Sequence, residues 1–219
     1  LAARIKSPHI VRTLDHGVME SGRPYIIMEL LDGITLSTQI DRSPTGHLEL
    51  QRARSIIAQI GSALGKAHEI GIIHRDIKPD NVILIDPDDE AFVKVLDFGL
   101  AKQTNANRKL TQPGAVLGTL HYMSPEQFTH AESADHRADL WSLAVVAYHA
   151  LTGAVPFFGA TAADVMHAIL EGKFVPATEQ NPELPPALDG WFLRALQLDP
   201  NDRFDATKPM LKALREACR

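Results

Sequence analysis

Between residues 74 and 81 the chain reads "HRDIKPDN", which gathers Arg75, Asp76, Lys78, Asp80 and Asn81 into one short stretch. The flanking residues are apolar, branched and strand-prone: Ile72 and Ile73 before it, Val82 to Ile85 after it. A core tolerates such a cluster only with a counter-charge or a ligand. The groups on offer are carboxylate and amide oxygens and one lysine ammonium. A solvated turn explains the same residues cheaply, because Asp and Asn commonly bond nearby backbone. Pro79 stops the stretch from continuing as helix. Further on come Asp97 to Gly99, "DFG", directly after the strand-like "FVKVL", and then Ser124 to Glu126, "SPE".

The elements around these residues read as strands first and helices later. "HIVRTLDHGVM" and "PYIIMELL" are strand-like runs joined by the turn "ESGRP". "NVILI" and "FVKVL" form a second pair across the turn-rich "DPDDE". Between the pairs, Ala53, Ile56, Ile57, Ile60, Leu64 and Ala67 recur at spacings of three and four, and Gly71 is placed to stop that helix. Residues 101–119 are polar with Gly and Pro and read as a long loop; such loops inside a domain are usually functional. "ADLWSLAVVAYHALTG" is apolar nearly all round and predicts a helix at the centre of a lobe. Three further helices are expected in "TAADVMHAILEG", "ALDGWFLRALQL" and "ATKPMLKALREA", with a Pro-rich connector at 176–186.

Composition narrows the classes. The 219 residues suffice for one large domain or two small lobes, with 45% hydrophobic and 22% charged residues as in ordinary globular proteins. A net charge of -5 with interspersed signs argues against a nucleic-acid binder. Cys218 is the single cysteine, so no disulfide framework exists within the chain, which fits a reducing, cytoplasmic setting. Among ten histidines no two stand four apart, so a structural zinc site is not expected. No apolar run reaches the roughly 18 residues of a membrane span. Leu1 is followed by no leader-like pattern, and the sequence reads as cut from something longer, whose other regions could carry an anchor.

The order of "HRDIKPDN", "DFG", "SPE" and the buried helix opening at Asp139 and Trp141 resembles the eukaryotic-type (Hanks-type) protein kinase family. Lys78, two after Asp76, matches the serine/threonine form, and "GTLHYMSPE" is most similar to the bacterial members. The resemblance covers nearly the whole chain. It implies an α+β fold, a protein-kinase-like arrangement with a mainly helical large lobe. Residues 1–30 would be a remnant of the β-rich small lobe ending at the hinge, and residues 31–219 the large lobe. It implies transfer of the γ-phosphate of ATP to Ser or Thr hydroxyls of protein substrates, with Mg²⁺ as cofactor. Asp76 would be the catalytic base, Lys78 would meet the transferring phosphate, and Asn81 and Asp97 would hold the metal. Such chemistry is mainly positioning and electrostatic stabilisation, and Mg²⁺ wants oxygen ligands. Thr119 resembles the threonine that contacts Asp76 and Lys78. Met28 to Leu31 would form the hinge, with the Glu29 carbonyl and Leu31 amide facing adenine, Met28 limiting pocket depth and Ile83 beneath the ring. Asp139 is expected to cap its helix and to bond the catalytic-loop backbone. Glu126 and Arg203 resemble a buried ion pair, and His74 reads as a core histidine bonded to backbone.

Regulation is expected in the long loop. Arg75 lacks an obvious partner, and phosphorylation of Thr111, or of Thr104, would supply an anion to order the loop; Pro113 stands where a second phosphorylated threonine would be. The Gly-rich loop, the early-strand lysine and its glutamate partner are absent; Lys94 reads as an exposed lysine rather than a stand-in. Truncation explains this gap, and a poorly active chain is expected. Two rivals remain: a pseudokinase or scaffold module that presents its helical lobe to a partner, and a small-molecule phosphotransferase. "GTLHYMSPE", shaped for an extended peptide, argues against the second. Asp80 reads as a solvated loop acid.

Overall fold

A computed structural model describes residues 5–88, 91–98, 118–129, 132 and 134–219. The chain enters through two antiparallel strands, β1 (Thr13–Val18) and β2 (Pro24–Met28), which form a two-stranded sheet of their own with an irregularity between Thr13 and Asp15. A second antiparallel sheet has the order β3 (Ile34–Thr35), β4 (Val82–Ile85), β5 (Phe92–Val95). In β4, Val82 and Leu84 are buried while Ile83 and Ile85 are partly exposed, the alternation expected of a strand with one covered face. Gly33 enters β3 so close to β4 that a Cβ there would lie 2.3 Å from the Leu84 carbonyl oxygen, so only glycine fits.

Among the helices not legible as periodic runs are two short ones. One is α1 (Leu36–Asp41), whose N-cap Thr35 accepts from the Thr38 amide; the other is α6 (Ala177–Gln180), which lies inside the Pro-rich connector. Helix α2 (Leu50–His68) buries the expected stripe from Ala53 to Ala67. Its first turn is held by the Glu49 carboxylate, which accepts from the amides of Gln51 and Arg52, and the chain leaves it through Gly71 at φ +73°.

Helix α4 (Arg137–Thr152) follows the short α3 (Pro125–Thr129) and forms the centre of the molecule; 13 of its 16 residues are buried. It packs against α2 on one side and against α6 and α7 (Ala187–Ala195) on another. Trp141 stacks on Phe157 at 5.4 Å, and Tyr148 donates its hydroxyl to the Val175 carbonyl, burial pushing that phenol up to about 12. Each such fully buried large side chain contributes on the order of 1.5–3 kcal/mol. The helix stops at Gly153, φ +75°, where a Cβ would meet the Gly46 carbonyl oxygen at 2.4 Å. Helices α5 (Ala162–Glu171), with a Thr161/Asp164 capping box, and α8 (Thr207–Ala217), packed on α2, complete the layer. The whole is an α+β fold, helix-rich with few strands, as expected. Among the described residues no helix is long and apolar enough to cross a membrane.

Candidate active site

The residues from 74 to 81 sit between the end of α2 and β4, and the backbone there is held from several sides. Asp139, fully buried on α4, supplies most of the hold. Its Oδ2 accepts the His74 amide at 2.9 Å and lies 2.7 Å from His68 Nε2; its Oδ1 accepts the Arg75 amide at 2.7 Å. With both oxygens so engaged, Asp139 does not cap α4. The N-cap is His136, which makes no side-chain cap bond, so that half of the expectation is corrected. The carboxylate points inward because three donors wait there.

His74 is fully buried. Its Nε2 donates to the Leu96 carbonyl at 2.7 Å, which leaves Nδ1 to accept the Asp76 amide at 3.2 Å and fixes the tautomer. The Phe98 ring packs edge-on against the imidazole at 4.6 Å. The Leu96 amide in turn donates to the Asn81 carbonyl at 2.9 Å. Asp97, φ +60°, is therefore bracketed by two residues that both contact the loop, although it lies twenty-one positions further along the chain.

Within the loop, Asn81 donates Nδ2 to the Asp76 carbonyl at 2.8 Å and to the Asp76 carboxylate at 3.1 Å. That orientation turns the amide oxygen Oδ1 away from Asp76, and among the described residues it has no hydrogen bond. Lys78 Nζ lies 3.4 Å from Asp76 Oδ2 and donates to Thr119 Oγ1 at 2.8 Å. The Asp76 side chain remains about one-third exposed, so its carboxylate is within reach of a substrate. A carboxylate, an ammonium and a hydroxyl are thus linked in one line, with the Asn81 amide bonded to the carboxylate. Hard oxygen donors in that number suit Mg²⁺, which uses one or two protein groups and completes its shell with water and phosphate. Among the described residues no group of three or more His, Cys, Asp or Glu is placed to hold a metal ion.

Arg75 has φ +69°, in the left-handed region that a non-glycine residue enters only under constraint. The constraint is visible: its amide is held by Asp139, and its carbonyl accepts from Gln127 Nε2 at 2.9 Å. Its guanidinium donates to the Ala134 carbonyl at 3.4 Å. Thr104 and Thr111, named above as its partners after phosphorylation, lie outside the described residues, as does Gly99.

The "SPE" segment is tied down by Arg203, which is 3% exposed and uses all five of its N–H donors. Two go to the Glu126 carboxylate at 2.8 Å each, and the others reach the carbonyls of Gln197, Leu198 and Arg137. Its guanidinium lies 4.8 Å from the Trp141 ring. Beside Thr119, the Tyr122 hydroxyl pairs with His149 Nδ1 at 2.8 Å. Burial pushes the pKa of His149 and of His121 below the ordinary imidazole value and that of the Tyr122 phenol upward.

On the other edge, the stretch expected to be the hinge follows β2. Met28 and Leu30 are exposed and Leu31 partly so. The Glu29 amide donates to the Arg12 carbonyl; its carboxylate accepts the Arg12 amide at 2.8 Å and Lys94 Nζ at 2.7 Å. The reading of Lys94 as an exposed lysine is therefore corrected: its side chain is only 15% exposed because the Glu29 carboxylate draws it in. The same hydrogen bonds hold the Glu29 carboxyl below its usual range. Ile83 is the direct cross-strand partner of Lys94, so the two share a sheet face.

Two positioning groups escaped the sequence reading. His68 carried a signal, since it continues the apolar stripe of α2 four residues after Leu64. Gln127 carried only its place directly after "SPE".

Comparison with known proteins points to one family. The family model described as "Protein kinase domain" matches residues 1–213. Serine/threonine-protein kinase PknE of Mycobacterium tuberculosis (strain ATCC 25618 / H37Rv) is 39% identical over 203 residues, 93% of this chain and 34% of that protein. PknH of the same strain is 38% identical over 217 residues, 99% of this chain and 33% of that protein. The chain therefore spans about a third of the length of the curated relatives it matches. Among solved structures, the Mycobacterium tuberculosis PknI kinase domain superposes with a TM-score of 0.74 at 29% identity, over 99% of this chain and 75% of that one.

Proposed function

The chain belongs to the eukaryotic-type (Hanks-type) serine/threonine protein kinase family, in its bacterial form, and on that premise we propose that its parent protein transfers the γ-phosphate of ATP to Ser or Thr hydroxyls of protein substrates. The observation that carries this reading is the Asp76–Lys78–Thr119 line: a carboxylate 3.4 Å from an ammonium that donates to a threonine hydroxyl on the segment leading into "SPE".

Bound ATP and Mg²⁺ supply the phosphoryl group and the positive charge that neutralises its oxygens. Asn81 Oδ1 and the Asp97 carboxylate would hold the cation. The left-handed backbone at Asp97, bracketed by Leu96 and Phe98, supports a carboxylate presented in one direction rather than one sweeping through solvent. Asp76 orients the acceptor hydroxyl and takes its proton. Asn81 Nδ2 bonds both the backbone and the carboxylate of Asp76, so that side chain is set before a substrate arrives. Lys78 offsets negative charge on the transferring group as a point charge. Thr119 ties Lys78 to the peptide-bearing segment, so a substrate laid on that segment meets the reacting groups in register. Met28, Glu29, Leu31 and Ile83 are assigned to the adenine end, with residues 1–30 on the small-lobe side and residues 31–219 as the large lobe. The acceptors are protein segments in the cytoplasm, where ATP and reduced thiols coexist.

The test is phosphate transfer from labelled ATP to a mixture of Ser-, Thr- and Tyr-containing peptides by the full-length gene product. Labelling of Ser and Thr alone, lost in Asp76→Asn and Asp97→Asn, is expected. Labelling that survives both substitutions would refute the assignment.

A further inference from the structure

We propose that Gln127 is a positioning residue that sets Asp76 by clamping the strained Arg75 peptide to the segment carrying Thr119; the inference rests on the kinase reading of that loop. Gln127 occupies the third position after Ser124, in the first turn of α3. Its Oε1 accepts from the Ser124 amide at 3.0 Å and from the Ser124 hydroxyl at 3.1 Å. That half of the side chain is the reach-back of a capping box, which glutamate performs as well as glutamine. A carboxylate would even gain from the helix terminus.

The other half of the amide explains why glutamine stands here. Nε2 donates to the Arg75 carbonyl at 2.9 Å, and a carboxylate has no proton to give to a carbonyl. The orientation of the amide is not in doubt, because the Ser124 amide can only donate and the Arg75 carbonyl can only accept. Arg75 is the residue with φ +69° immediately before Asp76. Asp139 holds its amide, and Gln127 holds its carbonyl. Remove one hold and the peptide can relax toward ordinary φ, which rotates the plane that leads into Asp76.

The bond also closes a ring. From Asp76 the path runs through Lys78 to Thr119, along the backbone to Ser124, across to Gln127, to the Arg75 carbonyl and back to Asp76. The loop that does the chemistry and the segment that carries the peptide are thus fastened at two points. One point, Lys78 to Thr119, lies at the reacting groups; the other, Gln127 to Arg75, lies behind them. Two fastenings fix an orientation where one would leave a pivot.

The discriminating variant is Gln127→Glu, which keeps the cap and loses the donor; Gln127→Met loses both. In the full-length gene product, Gln127→Glu is expected to lower kcat about tenfold, equivalent to about 1.4 kcal/mol, with KM for ATP within about twofold of wild type. Its melting temperature should stay near wild type, and hydrogen exchange should quicken in the 74–81 segment alone. Unchanged kcat in Gln127→Glu overturns the proposal. So does a loss of activity that comes with lowered melting temperature and faster exchange throughout the large lobe, since that marks a purely structural cap. If the wild-type protein transfers no phosphate, the kinase reading fails on its own account. Exchange over residues 74–81 in Gln127→Glu then decides the clamp, with no change there overturning it.

Discussion

Replacing Asp139 by asparagine changes one atom at the point where three donors converge, and the cost can be worked from the structure. The wild-type carboxylate takes the His74 amide and His68 Nε2 on Oδ2 and the Arg75 amide on Oδ1, all within 2.9 Å and away from solvent. Asparagine keeps one acceptor oxygen. Its better rotamer aims that oxygen at His74 and His68 and sets its NH₂ against the Arg75 amide. One buried donor is then orphaned, at a cost of about 1–3 kcal/mol. The two surviving bonds lose charge assistance, at about 1 kcal/mol each. The sum is about 3–5 kcal/mol, a large part of the 5–15 kcal/mol that holds a typical domain together. With a urea m-value of about 3 kcal/mol per M for a chain of this size, the unfolding midpoint should fall by about 1–2 M. Trp141, buried two positions along the same helix, gives the fluorescence signal. A midpoint within about 0.3 M of wild type would show that these three bonds do not hold the loop, and the account of Arg75 strain would go with them.

Other perturbations follow the same physics. Glu126→Gln leaves the Arg203 cation buried with its bidentate partner gone, and should cost about 3–5 kcal/mol by calorimetry; a cost under 1 kcal/mol would count against the pair as an anchor. The carboxyl of Glu29 is held below its usual value of 4.5 by the Lys94 hydrogen bond first and by the Arg12 amide second. Its contribution to stability is present above pH 4.5 and is lost as pH falls through the folded-state value, so Glu29→Gln should flatten the stability profile below pH 5. Burial holds His121 and His149 below the usual 6.5, so the unfolded chain binds more protons there and these groups destabilise the fold as pH drops through 6.5. Between pH 7.5 and 5.5 the double variant Tyr122→Phe/His149→Leu should lose less stability than wild type, and parallel profiles would contradict that.

What could be read before any coordinates was whatever the chain writes locally. The α2 stripe and the unbroken apolar run of α4 set the helical layer, because burial demands a period and the period is visible in sequence. The β4 and β5 runs carried the same kind of signal. Elements too short to repeat themselves did not: β3 has two residues and is held by pairing with β4, and α6 has four and is held by the Asp189 carboxylate, which accepts the Thr178 amide. The order of loop, "DFG" and "SPE" was legible as a resemblance, but which atom meets which was not. For Asp139 the resemblance implied a bond to the catalytic-loop backbone, and the structure has it; the cap read from its place near a helix start is absent, because donors from residues 68, 74 and 75 take both oxygens.

Lys94 and Gln127 are the instructive cases. Sixty-five residues separate Lys94 from Glu29, and nothing in "FVKVL" says that an acid waits beyond the sheet edge. Fifty-two separate Gln127 from Arg75. Polar side chains on partly covered faces are ambiguous in sequence because solvent satisfies them as well as a partner does; the fold resolves them by excluding water from one side. Capping explains a glutamate or a glutamine at position 127 equally, so its identity carries information only when something on the far side needs a proton. The Arg75 carbonyl is that something. The same reasoning applies to Asn81, where an aspartate could offer oxygen to a cation but could not donate to the Asp76 carboxylate. At both positions an amide does what neither acid nor apolar residue can: it donates to an oxygen of the catalytic loop without adding a charge of its own, and at Gln127 it accepts from Ser124 as well.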